Sequence, residues 1–230
     1  AGGNAVDAAV TTGLALGVIE PWMSGIGGCG YMMVYDAESG QTHAVDFSTI
    51  ASQNLDPAEY PLEDVSDTDD DLFGWPRVVD DCNVQGPLSI AVPTVVAGLS
   101  AALDRFGTLN WADAIGPAVE MAKRGMKVDW HATLRISLEA RGLANYPASR
   151  DFFMPDGLPA VSLDAANLTT LQSDKQVATL EQLRDAGPQD FYSGDLAQAL
   201  AADMAEVGAK VDAADLAAYE ARITEAHSGS

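Results

Sequence analysis

Apolar residues run almost unbroken from Ala5 to Val18, with Asn4 in front of them and Glu20-Pro21 behind. Asn4 is a good N-cap, so the run predicts a helix. It is apolar nearly all round, which predicts burial on every side rather than a single stripe. The residue before Pro21 disfavours helical backbone and ends the element. Ser24-Gly25-Ile26-Gly27-Gly28-Cys29-Gly30 follows as a loop, and its glycine density predicts positive φ at Gly27 and Gly28. Tyr31 to Tyr35 and Gln41 to Phe47 predict a hairpin across the turn residues Asp36 to Gly40. Period-2 alternation puts His43, Val45 and Phe47 on one face of the second strand, Ala44 and Asp46 on the other.

From Ser48 to about Pro87 no period holds. The stretch is acidic, with Glu63, Asp64, Asp67, Asp69, Asp70 and Asp71 close together. So long an irregular segment predicts a functional or subunit-wrapping role rather than a linker. After Pro93 the pattern predicts helices to the end, punctuated by caps going in and glycines coming out. Thr94 to Phe106 closes at Gly107, Asn110 opens a helix closing at Gly125, and Asp129 opens one closing at Gly142. Asn145 to Pro159 predicts a second loop. Asp174 to Gly187, Ser193 to Gly208, and a last helix from Asp212 complete the pattern. The spacings differ, so no solenoid repeat is expected. Glu225 to Ser230 predicts a polar tail.

Hydrophobic residues make up 47% of the 230 positions, enough for a sizeable core. The formal net charge of -22 opposes binding of phosphate backbones, so no nucleic-acid partner is expected. Such acidity keeps a chain hydrated and fits a halophilic or marine setting. Cys29 and Cys82 are too few for a disulfide framework. No apolar run is long enough for a membrane span. The chain starts at Ala1 with no Met and no basic leader, so it reads as an excerpt and assigns no compartment.

Several motifs tempt a chemical reading. Gly25 to Gly30 matches G-x-G-x-x-G, with Asp46 downstream. A dinucleotide site needs strand, loop, then helix, whereas here the order is helix, loop, strand, so no helix N-terminus is expected at the loop. Cys29 has no neighbouring activator in sequence and is expected to be structural. His43, His131 and His227 lack metal-ligand spacing. The acidic stretch lacks the spacing of a calcium loop. Asn167-Leu168-Thr169 is a glycosylation triplet with nothing to support it. No cofactor and no metal are expected.

The chain-wide resemblance is more informative. Gly2-Gly3-Asn4-Ala5-Val6-Asp7-Ala8-Ala9, Leu16 to Pro21, Ser24 to Gly28, Val34-Tyr35-Asp36 and Asp46-Phe47 together resemble the gamma-glutamyltranspeptidase family. Val92-Pro93 with Val96 to Leu99, Phe106-Gly107, Trp111, Pro117-Ala118, Ala178 to Leu180, Phe191 to Gly194, and Asp215-Leu216 with Tyr219 continue the match in order. The resemblance implies an α+β fold: the four-layer α/β/β/α sandwich of the N-terminal-nucleophile hydrolases, with sheets shared between two subunits. Residues 1–230 would be a single, incomplete domain, the large-subunit part of a self-cleaving precursor. The nucleophile would be an N-terminal Thr of the small subunit, using its own amine as base. No catalytic residue is therefore expected in this chain. The implied partners are that small subunit and a small amide or peptide substrate.

One position departs from the family. Its motif Asp-Phe-Arg-Glu uses the Arg to hold the α-carboxylate of the glutamyl group, whereas this chain has Asp46-Phe47-Ser48-Thr49. Ser48 and Thr49 are the expected substrate-binding residues. Losing the Arg predicts a shift from glutamyl substrates toward those of the family's acylases and small-amide hydrolases. The rivals are an ordinary transpeptidase with another cation, such as Arg77, at this place, and a non-catalytic homologue that acts as a binding protein.

Overall fold

The computed structural model describes residues 2–64 and 75–226. The apolar run forms helix α1, Ala5–Ile19, and Asn4 caps it in a capping box: its side chain accepts from Val6 and Asp7, and Asp7 accepts from the Asn4 N–H. The hairpin follows as strands β1, Gly30–Asp36, and β2, Gln41–Phe47, paired antiparallel from Gly30 with Phe47 to Asp36 with Gln41. Three short 3₁₀ turns at Pro57–Glu59, Val79–Asp81 and Pro87–Ser89, and an isolated bridge between Leu62 and Val78, give some order to the irregular stretch. The acidic positions Asp67, Asp69, Asp70 and Asp71 lie outside the described residues.

Helices α2, Val95–Phe106, and α3, Trp111–Arg124, start and stop where the caps and glycines predict. The Asp129-capped helix does not reach Gly142. α4, Trp130–Leu138, stops early, and α5, Ala140–Ala144, restarts after Glu139. The expected loop at 145–159 contains a helix, α6, Pro147–Phe153, with proline in its first turn and Tyr146 extended before it. α7, Asp174–Ala186, starts at Asp174 and closes at Gly187 as expected, with Ser173 as its cap. The helix expected from Ser193 to Gly208 is α9, Asp195–Val207, and a short helix not expected, α8, Asp190–Ser193, precedes it across Gly194. α10, Ala213–Ala217, has the expected Asp212 cap in a second capping box.

The prediction of helices to the end also fails for strands. β3, Met126–Lys127, and β4, Thr170–Leu171, form a small antiparallel pair. More important, the end of the segment expected as the last helix, with the first residue of the expected tail, is strand β5, Arg222–Glu225, which pairs antiparallel with β2. The main sheet is thus ordered β1-β2-β5.

The sheet has one packed face. Val34, Val45 and Phe47 join a core with Val10 and Leu14 of α1, Val96 and Leu99 of α2, Ile115 and Val119 of α3, and Leu180 and Phe191 beyond. Phe47 lies across α2 so closely that a Cβ on Gly98 would sit 2.0 Å from its ring. A second cluster, with Val128, Ala132, Ile136 and Met154, packs around Trp22. The other sheet face carries Tyr31, Met33 and Tyr35, which are 70%, 60% and 67% exposed. In register with them stand Asp46, Ala44 and Thr42, followed by Arg222 and Thr224 of β5.

Candidate functional site

The loop before β1 and the end of β2 meet at one end of the sheet, since Gly30 pairs with Phe47. The glycines of that loop are not there for positive φ: neither Gly27 nor Gly28 adopts it. Close approach explains two of them instead. A Cβ on Gly30 would lie 2.8 Å from the Phe47 ring, and one on Gly28 would lie 3.3 Å from the Gly25 carbonyl. The expectation that no helix N-terminus faces the loop is also corrected. The Gly28 carbonyl accepts from the N–H groups of Thr94 and Val95, where α2 begins. That places a protein carbonyl, not a phosphate, on the helix start.

Beneath the end of β2, buried polar groups fix the backbone. Thr94 donates its hydroxyl to the Phe47 carbonyl, and Tyr219 donates to the Ser48 carbonyl at 3.1 Å. Burial pushes the Tyr219 hydroxyl above the usual tyrosine range, a shift that the Thr94 hydroxyl partly opposes. Tyr192 stacks near Tyr219 and donates to the Pro93 carbonyl at 3.1 Å. Burial raises its pKa strongly, so it stays a neutral donor.

On the open face above this floor stands the predicted pair. The Ser48 hydroxyl donates to Asp46 Oδ1 at 2.7 Å, and the Ser48 N–H donates to the same oxygen at 3.0 Å. Arg222 donates to Asp46 Oδ2 at 2.6 Å from the register partner on β5. The Ser48 hydroxyl, then its N–H, and lastly Arg222, hold the Asp46 carboxyl below its ordinary range, against the cost of burial. Thr49 turns away, donating its hydroxyl to the Val92 carbonyl at 2.9 Å. The two candidates are therefore neighbours with different duties. Ser48 belongs to a charged cluster on the open face, and Thr49 ties the strand end to the segment leading into α2.

The chemical consequence is specific. With its proton committed to Asp46, the Ser48 hydroxyl offers only lone pairs outward, next to a carboxylate. That surface accepts hydrogen bonds and disfavours an anion. Arg222 carries the local positive charge; its side chain is 74% exposed. Arg77 instead pairs with Asp81 at 3.1 Å. Sequence reasoning missed Arg222 because β5 itself was missed. Cys29 is exposed in the loop, and both cysteines are free. His43 packs on the Phe106 ring and His131 on Trp22, while His227 lies outside the described residues. Among the described residues no His, Cys, Asp and Glu side chains cluster as metal ligands, and no helix is long and apolar enough to cross a membrane.

A sheet packed on one face by helices, with a charged cluster at the strand ends of its open face, defines an α+β protein. The chain belongs to the gamma-glutamyltranspeptidase family, whose model matches residues 1–230. It is 32% identical to the glutathione hydrolase proenzyme of Bacillus subtilis over 97% of this chain and 35% of that protein. It is 34% identical to the acylase ACY 1 proenzyme of a Pseudomonas strain over 100% of this chain and 39% of that protein. The chain thus spans little more than a third of the length of these curated relatives. Among solved structures, the gamma-glutamyltranspeptidase of Helicobacter pylori superposes with a TM-score of 0.82 at 28% identity, over 96% of this chain and 59% of that one.

Proposed function

We propose that the chain is an incomplete domain, the large-subunit part of an amide hydrolase or acyltransferase whose small subunit supplies the nucleophile. In this reading a second sheet lies on Tyr31, Met33 and Tyr35 and makes the four-layer α/β/β/α sandwich. An N-terminal Thr of the small subunit attacks the substrate carbonyl, its own amine takes the proton, and the acyl-enzyme passes to water or an amine. Hydrogen-bond donors stabilise the tetrahedral oxyanion. The large subunit then contributes recognition: Ser48 faces the substrate, and Thr49 holds the strand end that presents it.

The observation that carries the substrate assignment is the Ser48–Asp46 hydrogen bond at the place where the family has Arg. An Arg would offer a planar fork to a carboxylate. Ser48 offers an acceptor beside a negative charge. One charged hydrogen bond contributes roughly 1.5–3 kcal/mol, and two would change kcat/KM by about two to four orders of magnitude. The preferred acyl group therefore lacks an α-amino acid head. The Arg222–Asp46 pair favours a second reading, in which Arg222 swings from Asp46 to a glutamyl carboxylate.

The test is kcat/KM of the full-length protein for a γ-glutamyl anilide against a simple acyl anilide. We expect the simple acyl substrate to win, and Ser48→Arg to raise glutamyl turnover. Efficient wild-type glutamyl turnover that collapses in Arg222→Gln would establish the second reading. No turnover of any amide by the processed protein would sink both.

A further inference from the structure

The irregular stretch between β2 and α2 walls an open cleft of about 610 Å³. Its lining is mainly apolar: Leu55, Pro57, Leu62, Val78, Leu88 and Ile90. A concave volume of this size with apolar walls is typical of a small-molecule site. Leu55, Leu62 and Ile90 are 40%, 61% and 36% exposed, so a guest could still bury apolar surface against them.

The cleft begins close to the Ser48 cluster. Two segments run side by side from that strand end: Thr49 donates its hydroxyl to the Val92 carbonyl, and the Val92 N–H donates to the Ile50 carbonyl. The neighbouring residues, Ala51 on one segment and Ala91 on the other, line the cleft. Ala51 is three residues from Ser48, so their Cα atoms are at most about 11 Å apart.

The polar groups of the lining are already engaged. Ser52 donates its hydroxyl to the Lys210 carbonyl at 2.7 Å, Tyr60 to the Leu88 carbonyl at 2.8 Å, and Ser89 to the Gly86 carbonyl at 2.7 Å. The Lys210 ammonium, on another lining residue, pairs with Glu59 at 2.6 Å. Asn83 also lines the cleft but is an exposed residue, so its amide can stay in solvent. The hydroxyl protons and the one cation of the lining are thus committed within the chain, and what faces a guest is hydrocarbon. We propose that the cleft takes the uncharged hydrocarbon tail of the substrate's acyl group, with the amide to be cleaved held at the Ser48 end. The inference rests on the hydrolase or acyltransferase reading above and adds the acyl class to it.

The test uses the full-length protein and the p-nitroanilides of acetate, butyrate, hexanoate and octanoate. kcat/KM is expected to rise along the series, by about fourfold for each methylene that enters the cleft. The 6-aminohexanoyl anilide, with a chain of similar length ending in a charge, should fall well below the hexanoyl one. In Ile90→Asp the octanoyl-to-acetyl ratio should drop about tenfold or more, because a carboxylate then stands in the apolar wall. Leu62→Ser, at an exposed side chain, should lower the same ratio by a smaller factor, and it decides the matter if Ile90→Asp does not fold. Turnover that is flat from acetyl to octanoyl would overturn the inference and leave the reaction standing. A chain-length preference that neither substitution lowers would also overturn it, because the tail would then lie elsewhere. No turnover of any anilide would sink the reaction and the inference together.

Discussion

The two faces of the β1-β2-β5 sheet are built to different standards. On the inner face Val45 is fully buried and Phe47 is 5% exposed, packed against a glycine of α2. On the outer face Tyr31, Met33 and Tyr35 stand open beside the Asp46–Arg222 pair. The contrast separates the packing that the chain completes within itself from a face that it leaves open. Large apolar side chains in a row on an open sheet face mark an interaction surface, not scattered surface noise. The finished face is expected to respond to mutation as a core does, and the open face only when its partner layer is present.

The largest effect is expected at Asp7, deep on the finished side. Its carboxylate accepts from the N–H groups of Asn4, Thr108 and Leu109 and from the Thr108 hydroxyl, at 2.6 to 3.0 Å. It thereby ties the start of α1 to the turn between α2 and α3. Asp7→Ala would leave those donors unpaired in a buried place, and each orphan is costly. The melting temperature of the full-length protein should fall by about 10 °C or more. The same carboxylate sets an acid limit. Burial acts to raise its pKa, but the hydrogen bonds from Thr108, Leu109 and Asn4 prevail and hold it well below 3.8. A depressed folded pKa contributes stability that is fully present above the unfolded value and is lost as pH falls toward the folded one. Wild type should therefore lose more stability than Asp7→Ala between about pH 5 and pH 2. Parallel losses would remove Asp7 from this role.

Next comes Gly98. An added methyl would overlap the Phe47 ring, so either the helix or the ring must shift. Gly98→Ala should cost about 1–3 kcal/mol, the range for overpacking a core. Phe47→Leu in the same chain should recover part of it, because the two changes share one contact. Denaturant midpoints of the four proteins check this, and additive losses would mean that the two residues do not oppose each other.

How much of this contrast the sequence revealed depends on the distance over which each signal acts. Caps and terminators are local, so Asn4, Asn110, Asp129 and Asp212 marked helix starts correctly. The hairpin was legible from the alternation around Asp36 to Gly40. β5 was not, because four residues carry too little period and the partner strand lies far away in sequence. With β5 went Arg222, the charge that completes the candidate site. The α6 helix does carry a signal, Pro147 in its first turn, but proline marks loops as readily as helix starts. Glycine density before β1 suggests backbone freedom, but Gly30 and Gly28 answer to close packing against Phe47 and Gly25. Ser48 was visible only through resemblance, and its bond to Asp46 only through the fold.

The smallest effect, and the sharpest test of the open face, is expected at Met33. Its side chain is 60% exposed in the middle of β1, flanked on the same face by Tyr31 and Tyr35. In the 230-residue chain by itself, Met33→Ser removes little packing and should alter stability by less than about 0.5 kcal/mol. In the full-length precursor, where the proposed second sheet covers this face, the same change gives up the burial of a methionine, about 1.5–3 kcal/mol. The difference between the two measurements, not either alone, reports the covering layer. A hydrophobic dye gives an independent reading: it should bind the 230-residue chain, lose affinity with Met33→Ser, and ignore the precursor. Equal mutational costs in both proteins would mean that nothing seats on this face. The four-layer arrangement would then have to be abandoned for this chain, although the Ser48 cluster at the strand ends would stand.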